Sequence, residues 1–227
     1  MDLSTYISFA VSPLLIIFGL VILKVTFKVK NWVNIRNAII LGVLSVILVI
    51  IANYLIDMRW DGQYGKMKRM AVFVFIVIAF SAEFAKYIVL RAAFYKRNNF
   101  EGPIEGIIYA NFIGLGYSMV AVVLFAYSII GSPRINDFTL FLYLYPFANL
   151  VFSTCMGFFI GMGKLRKNTL IDNATGIFVA TFFHGLFYFS FVTSDVRLLI
   201  FIGIGFIIIS LTLLFRAIKL RKSKEED

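Results

Sequence analysis

The chain has 227 residues, of which 61% are hydrophobic and only 15% charged, and its mean hydropathy is +0.91. Water-soluble domains run near 45–50% apolar and about 25% charged, so this composition excludes an ordinary soluble enzyme and puts the chain in lipid. Its formal charge of +10 comes from basic residues lying between apolar runs, a placement that suits anionic headgroups and excludes a nucleic-acid track as partner.

Crossing about 30 Å of hydrocarbon takes roughly 20 residues of helix. Seven apolar stretches meet that length, at residues 4–27, 37–56, 70–95, 106–130, 138–163, 174–193 and 197–219. They predict an all-α, polytopic membrane bundle of about seven transmembrane helices. The first stretch has no basic residue ahead of it and no small-residue cleavage site, so it reads as a retained span rather than a signal peptide. The connections are short and carry no Pro-rich or Gly/Ser-rich segment, which predicts one transmembrane domain over 1–227 with a charged cytoplasmic tail at 220–227.

Loop charge predicts the orientation. Lys24, Lys28, Lys30 and Arg36 follow the first stretch, Arg91, Lys96 and Arg97 the third, Lys164, Arg166 and Lys167 the fifth, and five more basic residues lie from Arg216 to Lys224. The opposite side carries only Arg59, Lys66, Lys68, Arg69, Arg134 and Arg197. The bias places the C-terminus in the cytoplasm and the N-terminus outside a cell membrane. The four basic residues between Asp57 and Arg69 oppose it.

Ionisable groups inside a span are costly and face the bundle interior. Glu83 and Lys86 lie in the third stretch, Asn149 in the fifth and His184, the only histidine, in the sixth. At about 1.5 Å of rise per residue, Glu83, Asn149 and His184 lie roughly 14 to 20 Å from the outer ends of their helices, one layer near the midplane. A shared buried pocket follows from that coincidence. Plainer accounts stand beside it. Glu83 and Lys86 are three apart and neutralise each other as an intrahelical pair. Thr181, one turn before His184, is a hydrogen-bond partner for it, and Asn149 repairs the carbonyl of Leu142 freed by Pro146. Arg91, near a helix end, snorkels. Gly114 and Gly116, Gly157 and Gly161, and Gly203 and Gly205 are read as close-packing positions.

Four blocks carry a resemblance: SAEFAKY at 81–87, FEGPIEGIIYANFIGLGYSM at 100–119, YPFANLVFSTCMGFFIG at 145–161 and FFHGLFYF at 182–189. In order and spacing they resemble the PrsW family of intramembrane proteases, with a PrsW-like core at about 70–193. The resemblance implies a polytopic peptidase acting on membrane-anchored proteins, some relatives starting regulated proteolysis of anti-sigma factors. It also implies kinship with the CAAX-type prenyl-protein proteases and the chemistry of a predicted metalloprotease. Active members carry Glu-Glu-x-x-Lys, a later Glu and two histidines on separate helices. Here the first glutamate position is Ala82, the second is Glu83 and the lysine is Lys86. The later glutamate falls at Ala121, the first histidine at Asn149 and the second at His184. Tyr188 stands where Asp or Asn is usual, and Glu105 replaces an Asp.

Catalytic zinc takes about three protein ligands and an open position. Glu83 and His184 are two, and Cys155, the single cysteine, faces another side of its helix, so no cofactor is expected and zinc has too few ligands. A metal-free peptidase then uses Glu83 as general base, His184 and Asn149 as donors or orienting groups, and Lys86 to tune the carboxylate. Two other readings remain: a catalytically inactive pseudoprotease or scaffold binding client transmembrane segments, and a small proton-coupled transporter relaying protons through Glu83 and His184.

Overall fold

A computed structural model describes residues 2–27, 32–60, 67–131 and 135–226. Lys28, Lys30, Lys66 and Arg134, counted in the charge bias, lie outside the described residues. Among those described, every regular element is helical. Seven helices are long and apolar enough to cross a membrane: Leu3–Val25, Trp32–Leu55, Met67–Ala93, Pro103–Ala126, Phe138–Arg166, Thr169–Thr193 and Val196–Ser223. They are called the first to seventh spans. The second and sixth begin about a turn before their apolar stretches, in segments carrying Asn34 and Arg36, and Asp172 and Asn173. Apolarity marks the hydrocarbon, whereas a helix continues into the headgroup layer because its backbone must still bond internally.

The fourth span is the centre of the bundle. Two thirds of its membrane window is buried (67%), against 17% for the first span and 11% for the seventh, which therefore face lipid. Lipid tails give apolar helices little reason to associate, so close backbone approach selects the neighbours. Gly106 lies against the backbone of Gly157, Gly161 against that of Gly102 and Pro103, Gly116 against Ile39, and Gly42 against Ile113. These contacts lock the fourth span to the fifth and the second. Gly114 faces Ser153 of the fifth. The expected packing roles of Gly203 and Gly205 are not found: a Cβ at either position meets nothing within 4 Å, because the seventh span lies at the lipid-facing edge.

Gly157→Ala would drive a methyl into the carbonyl of Gly106 and is expected to cost about 1–3 kcal/mol or more. Gly203→Ala is expected to stay within about 0.5 kcal/mol of wild type. Equilibrium unfolding in mixed micelles checks both, and equal stability of the two variants would contradict the packing.

The third span changes its winding on the way to the polar layer. Met67–Val72 is α-helical, Phe73–Phe80 is π-helical and Ser81–Ala93 returns to α. The Ser81 hydroxyl donates back to the carbonyls of Val77 and Ile78, closing the wide turn. Phe75 of this segment rests on Gly185 of the sixth span, where the ring lies against bare backbone, and lies 6.2 Å from the Phe182 ring. The third and sixth spans are thereby neighbours at the level of the ionisable groups.

Candidate active site

Immediately after the π-helical segment, Ala82, Glu83, Ala85 and Lys86 all turn inward. On the fifth span, Tyr145, Asn149 and Phe152 sit at i, i+4 and i+7, a single stripe, and all three are buried. On the sixth, His184 is buried, as are Ala180, Gly185, Phe187 and Tyr188 of the same helix. Glu83, Lys86, Asn149 and His184 each have 0% exposure.

The four side chains form one network. Lys86 Nζ donates to Glu83 Oε1 at 2.7 Å and across the bundle to Asn149 Oδ1 at 2.9 Å. His184 Nδ1 lies 2.8 Å from the same Glu83 Oε1. An ionised carboxylate only accepts, so the network assigns the proton to Nδ1. Nε2 then accepts from the Tyr145 hydroxyl at 3.3 Å. The Asn149 amide nitrogen donates to the Tyr145 backbone carbonyl at 3.0 Å. Phe152 stacks on the imidazole, centroids 4.8 Å apart and planes within 12°, and the Lys86 ammonium sits 5.2 Å from the Tyr117 ring, a cation–π contact strengthened by the dry surroundings. One carboxylate against one ammonium leaves the cluster neutral, which is what a hydrocarbon interior demands of buried charge.

One acceptor remains. Glu83 Oε2 is buried and has no hydrogen-bond partner. Lys86 and His184 hold Oε1, so the carboxylate plane is fixed and its second oxygen is presented unused at the meeting of three spans.

All four candidates are therefore brought together, and the intrahelical Glu83–Lys86 pair exists within the larger network rather than instead of it. Two of the plainer accounts need correction. Thr181 does not serve His184: its hydroxyl has no partner, because both imidazole nitrogens are taken by the carboxylate and the phenol. The Asn149 amide does repair backbone, but at Tyr145, one turn before itself, and not at Leu142. Ala82 and Ala121 are wholly buried and fill space only. Glu105 pairs with Arg221 at 3.7 Å at the start of the fourth span, and Arg91 stacks over Tyr95 at 3.7 Å. Cys155 is buried and unbonded, and among the described residues no three His, Cys, Asp or Glu side chains converge.

Tyr145, Phe152 and Tyr117 escaped the sequence reading. The 145/149/152 spacing in YPFANLVF was the available signal for the first two, since it aligns them with Asn149 on one helical face. Nothing in the sequence singles out Tyr117.

Residues 30–215 match the family described as PrsW family intramembrane metalloprotease. Over 187 residues the chain is 25% identical to a protein named Protease PrsW from Oceanobacillus iheyensis, covering 81% of each. No solved structure matches. A match that takes in the second to sixth spans whole and most of the seventh, including every residue of the polar network, has one consequence: the chain belongs to the PrsW family of intramembrane proteases.

Proposed function

We propose that the chain is a metal-independent intramembrane peptidase acting on membrane-anchored proteins, with Glu83 as its general base. The observation that carries this reading is the free Oε2 of Glu83 on a carboxylate otherwise pinned by Lys86 and His184. A buried acceptor left without a partner costs free energy, and a water or a substrate N–H is what such an atom receives. Oε2 takes a proton from water as the oxygen attacks the scissile carbonyl, and later returns it to the departing amine. Lys86 has three N–H bonds and spends two. Its remaining N–H supplies the developing oxyanion.

Because every site side chain is sealed from the surface, substrate enters when spans part. An apolar groove of about 500 Å³ runs between the third and sixth spans, lined by Phe75, Phe80, Phe84, Phe178, Thr181 and Phe182. It borders the two helices that carry Glu83 and His184, and we take it as the route. The test is cleavage of a single-span reporter in proteoliposomes by wild type against Glu83→Gln.

A second reading, the non-catalytic binder of client transmembrane segments, draws on the closure of the network, in which Asn149 is engaged at both ends of its amide. It requires crosslinking to clients that survives Glu83→Gln, with no product from either protein.

The chain is read as one domain with the N-terminus outside and the C-terminus cytoplasmic, on the loop charges. An Asp2→Cys variant in a Cys155→Ser background is expected to react with a membrane-impermeant thiol reagent added to intact cells. Reaction only after lysis would invert the topology.

A further inference from the structure

We infer that the Lys86 ammonium is the resident cation of this pocket, and that it makes the chain a metal-free member of a family described by its metal. Counting free donor atoms leads there. Glu83 Oε1 is occupied by both Lys86 and His184. His184 points Nδ1 at the carboxylate and Nε2 at Tyr145, so neither nitrogen is free to ligate. Asn149 Oδ1 is occupied by Lys86. Of these four side chains, only Glu83 Oε2 offers an unused donor, against the three or so that zinc takes from protein.

Charge leads to the same place. Glu83 and Lys86 already sum to zero at full burial. A divalent ion on Oε2 would stand beside the ammonium and leave two uncompensated positive charges in hydrocarbon. Bridging Glu83 on the third span to Asn149 on the fifth is itself the task a metal performs elsewhere: a positive charge that ties donors from separate helices. Lys86 does it covalently tethered, and the neighbouring Tyr117 and Phe152 rings, 5.2 and 5.9 Å from Nζ, are surroundings that suit an organic cation. The assignment concerns what the pocket holds and stands whether or not the chain cleaves peptides.

The experiment uses the full chain purified in detergent. Metal analysis should find zinc far below one per chain, and neither EDTA nor added zinc should move the Tm. Lys86→Met frees Asn149 Oδ1, leaves Glu83 Oε1 held by His184 alone and gives the pocket a net negative charge, so zinc should raise the Tm of that variant and bind at about one per chain. Stoichiometric zinc in the wild type, or a lower wild-type Tm in EDTA, would overturn the inference. So would a folded Lys86→Met protein as indifferent to zinc as the wild type. If that variant does not fold, the wild-type metal content and its response to EDTA decide alone.

Discussion

Glu83→Gln is expected to lower reporter cleavage by about 10²–10⁴-fold, the range for losing a general base, measured on protein that inserts and elutes as a folded species. The amide retains an oxygen that Lys86 and His184 can donate to, so the contacts around Oε1 at 2.7 and 2.8 Å survive in large part. What disappears is the basic Oε2, replaced by an NH₂ that cannot take a proton from water. Glu83→Gln removes the counter-charge of the ammonium as Glu83→Ala does, but it keeps the hydrogen-bond acceptor and the side-chain volume, so it disturbs the fold less. Equal product from both proteins would remove Glu83 from the reaction. No product from either would favour the client-binding reading, and intact crosslinking would then establish it.

The second large effect concerns stability. Lys86→Met, measured without metal, is expected to cost about 3–5 kcal/mol, because it leaves a carboxylate at 0% exposure without its counter-charge. Glu83→Gln/Lys86→Met is expected to recover most of that loss, since a neutral pair replaces a neutral pair and only directed hydrogen bonds are given up. The sign matters more than the size: a double variant more stable than the single identifies mutual neutralisation as the reason both charges persist in the membrane. Two losses that simply add would mean the residues act separately. Equilibrium unfolding of the three variants beside wild type measures the coupling.

The seven spans, and the seven residue positions from Ala82 to His184 at which the family pattern was matched or broken, were legible from sequence because their determinants are local. A helix crossing hydrocarbon satisfies every backbone group within itself, so length and apolarity suffice to find it, and an ionisable residue inside such a run is conspicuous by its cost. Depth along a helix follows from residue count, which is why Glu83, Asn149 and His184 were expected in one layer. Rotation about the helix axis does not follow from residue count. The π-helical segment from Phe73 to Phe80 alters the angle at which Glu83 and Lys86 emerge, and no α-helical wheel anticipates it.

What the sequence by itself determined, then, is that this chain spans a membrane with helices and carries one carboxylate, one ammonium, one imidazole and one carboxamide at similar depth. Only the tertiary structure decided that Lys86 reaches Asn149 as well as Glu83, that Tyr145 rather than Thr181 partners His184, and that Glu83 keeps one oxygen unused. The physical reason is that these contacts depend on which helix faces meet. Backbone approach at Gly106 and Gly157 and the seating of Phe75 on Gly185 set those faces, through packing between residues far apart in the chain.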